Sequence, residues 1–560
     1  MSDAAARRLG LAVAFGLLAF GLLRAAQLAW ICDDAFVSLR YAANLVAGHG
    51  LVYNAGEYVE GYTNLLWTLA LAAALRLGAP DLASAQWLGI ASYLGLALAL
   101  LHASWRRSAA AGRPFLPLTA GVVLVSPDFH VWASGGLETA SFTALATVGV
   151  VLARDAATRP SRALPAGLVL SLLTLTRPDG LLFAGVAGLV LLWRAPRERR
   201  LASCLALGIP VAVTVAAWAA FKASYYGELL PTAFHSKSVL RPYYAQGAVY
   251  LGLFLAKNWY LPAAGAALLV WRLRGGGARG DGSALALALP ALVFWLYVVH
   301  VGGDFMFARR VLPAVPLLLL ALEETLDRLA DRRVRALCAA ACVAAAALPW
   351  PVFDDATPRI RGVADEPRFY PQRVIDVRRR QAEVVAEALR GSDARVMFEG
   401  GMCVFGYYSG LPYLAEMTGL TQYSLAKLPL GTRGWIGHEK RATDAWLSEN
   451  DIHLIVGQAF PPVSRPPGGD TLDLVYFGDV AVARIHRYDP ALMRHLAEQR
   501  GVSFVPIERV VERRRAEIER APRERAREIL AWLDRYWFDG AGDAAREQRA
   551  RLAALVESRP

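Results

Sequence analysis

Residues 30–67, WICDDAFVSLRYAANLVAGHGLVYNAGEYVEGYTNLLW, decide how the rest of the chain is read. They follow the first apolar segment directly, and their first polar side chains are two adjacent carboxylates, Asp33 and Asp34, set where a helix would leave a bilayer. Phe36, Leu39, Ala43 and Val46 then recur at helical spacing with Arg40 and Asn44 on one flank, which predicts a helix lying along a membrane surface. GHG breaks it, LVYN reads as a short strand, and VEGYTN brings in a third acid, Glu60. Two readings of the aspartates compete. A single Asp suffices to cap the helix and complement its dipole. A pair, at the mouth of a membrane protein beside Arg40, His49 and Glu60, suits general-base work on a hydroxyl at the interface.

Composition supports the membrane premise. With 55% hydrophobic and 19% charged residues among 560 and a mean hydropathy of +0.33, the chain is too apolar for an ordinary soluble globule. Residues 354–560 carry 31 Lys+Arg against 30 Asp+Glu, leaving 29 bases and 18 acids in the first 353 residues. The net charge of +12 therefore resides almost wholly in the apolar part, where it reports topology and not nucleic-acid binding. The five cysteines, Cys32, Cys204, Cys338, Cys342 and Cys403, show no metal-ligand spacing, and nothing in their placement supports a Cys32–Cys403 disulfide. No A-x-A cleavage site precedes the aspartates, so the N-terminal apolar segment reads as an uncleaved span.

A helical span needs roughly 20 apolar residues, fewer where neighbours bury it. Crossings are expected near 9–31, 84–104, 115–131, 138–153, 164–176, 180–193, 201–221, 259–271, 283–301, 311–326 and 335–352. Six basic clusters, around Arg7, Arg106, Arg154, Arg194, Arg272 and Arg328, hold 19 of the 29 bases; eleven crossings with the N-terminus inside put them all on the cytoplasmic side. Residues 63–77 are then a juxtamembrane helix, and TRPDG, with Arg177 and Asp179, tips a hairpin over 164–193.

Most of the other bases fall in expected outer loops. Three loops stand out: SPDFHVWASGGLET (126–139), KASYYGELLPTAFHSKS (222–238) and VGGDFMFARR (301–310). They mix bases or histidine with aromatics and lone acids, the chemistry of a pocket for an anionic headgroup and a sugar. Snorkelling explains any single Lys or Arg equally well, but not the concentration of Lys237, Arg309 and Arg310. From Asp354 the composition turns soluble: 395–399 and 452–456 read as buried strands, 440–450 as a helix between them, 474–487 as a hairpin, and the tail from 491 as charged helix. GWIGHEK (434–440) gathers His438, Glu439 and Lys440 in a turn.

The stretch CDDAFVSLRYAANLVAGHGLVYNAGEYVEGYTNLLW, with GLET, TRPDG, YYGELLPTAFHSK, GGDFMFARRVLPAVP and GHEK in order, resembles the bacterial GT-C superfamily of membrane glycosyltransferases, and within it the mycobacterial terminal β-(1→2)-arabinofuranosyltransferase family. It departs from the arabinose branch at EGYTN, where that branch carries a pair of small residues; the departure bears on the sugar more than on the reaction. The resemblance implies a mainly α, multispan fold of about eleven transmembrane helices over residues 1–353 with a catalytic first outer loop at 32–83, followed by an extracytoplasmic α/β domain at 354–560. It implies transfer of a sugar from a polyprenyl-phosphate donor to a cell-envelope glycan or lipid hydroxyl, at the outer face of a bacterial plasma membrane.

In that scheme Asp33 or Asp34 is the base, and Lys237, Arg309, Arg310, His235 and Arg40 hold the donor phosphate. Glu60, Tyr62, Asn64, Glu138, Asp179, Asp304, His438 and Lys440 face sugar or acceptor. Single displacement inverts the anomeric centre, and cations suffice for a monophosphate leaving group; a diphosphate would call for a divalent cation on the aspartates. The rival class is a transporter or flippase of a lipid-linked glycan, which would place its charges near the midplane and carry internal repeats; the sequence shows neither. A binding protein acting through its outer domain alone leaves the charged loops without purpose.

Overall fold

In the computed structural model, residues 3–113, 115–273, 282–329, 331–457, 471–540 and 543–559 are described. The first 350 residues form a helical bundle whose helices are apolar on both faces. Along Ser283–His300, for example, Leu287, Ala291, Phe294 and Val298 are buried, while Leu285, Leu289, Leu292 and Leu296 form an exposed leucine stripe on the other side. A helix that is hydrophobic all round yet half uncovered is solvated by lipid, not water. Among the described residues four helices are long and apolar enough to cross a bilayer unaided: Arg8–Gln27, Asp81–Ala110, Arg197–Tyr225 and Ser283–His300; counting each of two bent pairs as one span makes six.

The bent pairs revise two of the expected boundaries. The segment expected to cross at 115–131 is broken into Leu118–Val125 and Pro127–Ser134, because Pro127 has no N–H with which to continue the first helix. Pro127–Ser134 then turns 115° into Thr139–Ala156. Gly136 permits this turn: its φ is +77°, and a Cβ there would lie 2.3 Å from Ile31 Cδ1. The helix Tyr244–Lys257, left in a loop by the sequence reading, meets the next helix at an 85° bend.

Arginines from four of the six basic clusters meet at one end of the bundle. Arg107, Arg113, Arg154, Arg194 and Arg328 surround a cavity of about 480 Å³ with Glu324, and ion pairs Arg107–Glu323 and Arg154–Glu324 tie the helix ends together. Their convergence agrees with the one-sided charge pattern. The side chain of Arg7 and the cluster around Arg272 lie outside the described residues.

The remainder is built around a sheet. A two-stranded hairpin, β1 (Arg359–Ile360) and β2 (Val363–Ala364), precedes six strands, β3 (Arg395–Phe398), β4 (Tyr413–Glu416), β5 (Leu454–Val456), β6 (Leu474–Phe477), β7 (Ala481–Ile485) and β8 (Val502–Phe504). The sheet order is β4-β3-β5-β7-β6-β8, with β4, β3 and β5 parallel and the other pairings antiparallel. β3, β5 and the hairpin fall where the sequence places them. The helix expected over 440–450 forms only as Asp444–Glu449, where the Thr443 side chain accepts from Trp446 N at 3.2 Å.

Two of the junctions that hold the sheet unit against the bundle bear on the site. The helix Cys403–Tyr408 packs on Ala35–Val46, with the Phe36 ring 5.8 Å from those of Tyr407 and Tyr408. Ala35–Val46 is thus not a surface-lying helix: it is covered by protein, and its residues from Ala35 to Ala42 are buried. At the second junction β2 joins the 301–310 loop, through Ala364 N to Phe305 O at 2.7 Å and Phe307 N to Ala364 O at 3.0 Å.

Candidate functional site

Opposite the arginine end lies a cavity of about 610 Å³, between the outer helix ends and the sheet unit. Its polar wall carries Asp34, Asp179 and five bases, Arg177, Lys222, Lys237, Arg309 and Arg310. The rest is mainly apolar, with Leu181, Leu229 and Leu230 running from the wall to the exposed surface. All three motif loops and the first loop contribute to this region.

Glu138 organises the floor. It is 1% exposed and follows the bend at Gly136, so its carboxylate enters the bundle from the start of a helix. Oε2 accepts from Asn64 Nδ2 at 2.9 Å, and Oε1 accepts from Arg177 at 3.3 Å and Arg309 at 3.1 Å. Arg177 also grips Asp179 through two bonds of 3.0 and 2.7 Å. Buried Asp304 pairs with Arg310 at 3.3 Å and Arg309 at 3.8 Å. Burial opposes ionisation of Asp304, but Arg310 and Arg309 outweigh it and hold the carboxyl below its usual range. The arginines are therefore fixed in place by anions beneath them.

Asp34 and Lys237 differ from these groups. Asp34 starts the Ala35–Val46 helix without capping it, and its carboxylate makes no hydrogen bond or ion pair among the described residues. Lys237 likewise has no hydrogen-bonded or ion-paired partner there; burial pushes its ammonium below the usual lysine range, with Asp304 opposing. One free anion and one free cation thus face the same space.

Asp33 points elsewhere. It is 2% exposed and accepts the backbone N–H groups of Cys403 at 2.9 Å and Val404 at 3.3 Å, with Arg378 at 3.5 Å. Burial raises its pKa against the pull of Arg378. Asp33, Asp34 and Cys403 each offer a ligand atom within 4.8 Å of the others. Both Asp33 oxygens are already engaged and burial pushes the Cys403 thiol well up, a poor donor set for a hard divalent ion. Cys32 and Cys403 are free thiols.

Seven residues of the expected phosphate and sugar set do not line the cavity. Arg40 is buried and donates to the carbonyls of Tyr53, Gly406 and Leu411, so it fastens the first loop to the sheet unit. Its five donors suit a cage of carbonyls as well as they suit a phosphate. His235 is absent from the cavity wall, since the turn that aims Lys237 inward sends it the other way. Lys440 is a clip, donating to His235 O at 2.8 Å and Ala426 O at 2.7 Å. Glu60, Glu138, Asp304 and His438 lie outside the wall as well. Glu60 pairs with Lys222 at 3.0 Å, and burial lifts its pKa to about 7. Tyr62, Asn64 and Asp179 line the cavity, Tyr62 hydrogen-bonded to the Tyr226 hydroxyl at 3.1 Å. The His438 ring stacks on Trp435 at 4.0 Å and meets Phe305 edge-on at 4.8 Å.

The sequence reading missed Glu366 and Glu416, which are buried near Asp34. Single acids in unremarkable local sequence, they carry no motif that would single them out.

No family model matches the sequence. The chain is 32% identical to the terminal beta-(1->2)-arabinofuranosyltransferase of Corynebacterium glutamicum over 333 residues, 50% of this chain and 46% of the relative. It is 31% identical to the Mycobacterium tuberculosis protein of the same name over 245 residues, 41% of this chain and 38% of the relative. The matched region thus spans less than half the length of these relatives. Among solved structures, similarity extends to ArnT from Cupriavidus metallidurans bound to undecaprenyl phosphate, with a TM-score of 0.41, 16% identity and coverage of 79% of this chain and 78% of that one. It extends also to the Archaeoglobus fulgidus oligosaccharyltransferase tethered with an acceptor peptide, with a TM-score of 0.42, 10% identity and coverage of 79% and 68%.

Proposed function

We propose that this protein is a membrane glycosyltransferase that moves a sugar, arabinofuranose in the first instance, from a polyprenyl-phosphate donor to a hydroxyl of a cell-envelope glycan or lipid. The observation that carries the reading is the pairing of an unengaged Asp34 carboxylate with an unengaged Lys237 ammonium on the wall of one cavity, beside Arg309 and Arg310. The names of the two relatives support the choice of sugar.

Asp34 takes the proton of the acceptor hydroxyl as the oxygen attacks the anomeric carbon. The bond from that carbon to the phosphate oxygen breaks, its electron pair stays on the lipid phosphate, and single displacement inverts the centre. Lys237, Arg309 and Arg310 stabilise the charge gathering on the leaving group, and they are preorganised because Glu138 and Asp304 hold the arginines. Donor departure needs no metal in this scheme, since the cations provide the charge. The apolar wall at Leu181, Leu229 and Leu230 gives a lipid chain a way out toward the bilayer. The convergent arginines support a cytoplasmic reading of their end, with the cavity and the sheet unit of residues 354–560 on the extracytoplasmic side of a bacterial plasma membrane.

The test uses the full chain in proteoliposomes with a short-chain polyprenyl-phosphoryl arabinofuranose and a synthetic arabinofuranose oligosaccharide, product being followed by mass spectrometry. Product that vanishes in Asp34→Asn supports the reading; full transfer by that variant overturns it. Donor movement across the vesicle without any glycosidic product would instead establish the flippase alternative.

A further inference from the structure

The cavity provides for an anionic donor, yet Asp34 has a second side. Three groups of the sheet unit lie within reach of its charge, and none is used in the scheme above. Glu416 ends β4, is 1% exposed, and satisfies only one of its oxygens: Oε2 accepts from Thr418 and Leu420, whereas Oε1 has no partner among the described residues. Glu366 is 4% exposed, held by the strap that bonds β2 to the 301–310 loop, and its carboxyl has no hydrogen-bonded or ion-paired partner among the described residues. His438 uses Nδ1 toward Ile436 O at 3.3 Å and leaves Nε2 free. The charge of Asp34 acts on all three.

Gly400 lies between Glu416 and His438. It follows β3 and lacks the side chain that would fill the gap: a Cβ there would lie 3.5 Å from Glu416 Oε1 and 3.4 Å from the His438 ring. Gly400, Gly401 and His438 are part-exposed, so the gap faces outward. It also sits at the carboxyl edge of the parallel strands β3 and β4, where open α/β sheets hold their ligands. The stacked rings of Trp435 and His438 flank it, and Trp435 is 38% exposed.

We propose that this notch, bounded by Gly400, Glu416 and the Trp435–His438 stack, is the binding site for the acceptor, a hydroxyl-rich glycan whose reacting hydroxyl is delivered to Asp34. The proposal rests on the glycosyltransferase reading for its purpose, though not for its ligand. Burial lifts Glu366 to about 8 and Glu416 to about 7 and lowers His438. Near neutral pH the raised Glu366 carboxyl still holds its proton and can donate to a sugar hydroxyl, while Glu416 Oε1 is left to engage one. The aromatic pair offers the apolar face that sugar C–H groups pack against.

Binding is measured by calorimetry on the detergent-solubilised full chain with the synthetic arabinofuranose oligosaccharide, no donor present. Gly400→Leu fills the gap, and Trp435→Phe keeps the aromatic packing on Phe305 while narrowing the exposed wall and removing the indole N–H bond to Gly362 O. The expected result is a loss of glycan affinity of at least about tenfold for Gly400→Leu and about three- to tenfold for Trp435→Phe, with binding of polyprenyl phosphate kept in both. Wild-type protein that fails to bind the glycan, or variants that bind it as wild type does, would overturn the notch. Glycan binding lost in both variants but no transfer by wild-type protein would uphold the notch and sink the transferase reading.

Discussion

Asp33 and Asp34 are consecutive in the chain but face different partners: the Asp33 carboxylate receives the Cys403 and Val404 N–H groups of the sheet unit, and the Asp34 carboxylate faces the cavity. The turn at the start of the Ala35–Val46 helix separates them, the Ala35 N–H being bonded to Cys32 O at 3.0 Å. One aspartate thereby joins the sheet unit to the bundle, and the other, a few ångströms away, is left facing the cavity.

Substitution at the two positions is expected to fail in different ways. Asp34→Asn keeps shape and stability and loses about 100- to 10,000-fold in kcat, the usual worth of a general base. Asp33→Ala leaves two buried N–H groups and Arg378 without their anion and costs about 1–3 kcal/mol or more of stability. Thermal melts beside turnover numbers check both; an Asp33→Ala protein that melts like wild type while losing all turnover would reverse the assignment.

Lys237→Gln should act on the donor. Its ammonium has no internal partner to release, so the change removes only what it gives the phosphate, about 1.5–3 kcal/mol for a charged hydrogen bond. Donor KM then rises roughly 10- to 150-fold, with the melting temperature unchanged. A donor KM within twofold of wild type would mean that the phosphate rests on the arginines alone.

Arg40→Lys tests a residue that the family resemblance places at the phosphate and packing places in a cage of carbonyls. A lysine has three donors where the cage engages a planar fork, so the expectation is loss of stability with donor KM unchanged in the protein that remains folded. A selective rise in donor KM at unaltered stability would return Arg40 to the phosphate.

These cases show where the sequence was readable. Lys237, Arg309 and Arg310 were found because concentrated charge in outer loops has few structural explanations, and the cavity brings them together. Strands β3 and β5 were found because buried strands read as short apolar runs. Arg40, His235 and Lys440 were misplaced for a shared reason: each lies beside a site residue in sequence, but a helical or turn geometry sends its neighbours in other directions. Glu416 and Glu366 were illegible, since what distinguishes them is burial near Asp34, produced by contacts between segments hundreds of residues apart.

That burial yields a pH dependence of stability with a definite sign. Glu366 has a folded-state pKa of about 8 against an ordinary 4.5, raised first by burial and then by the Asp34 charge. The folded protein therefore holds this proton more tightly than the unfolded chain does. Its contribution is fully present below about pH 4.5 and is lost as pH rises through 8, because ionisation strands a charge beside Asp34, Asp304 and Asp33. Glu416, lifted to about 7, adds to the same slope one step earlier. The melting temperature should accordingly fall from pH 6 to pH 9, and Glu366→Gln, neutral throughout, should flatten the upper part of that fall. A variant whose melting profile follows wild type across this range would show that Glu366 is already ionised at neutral pH.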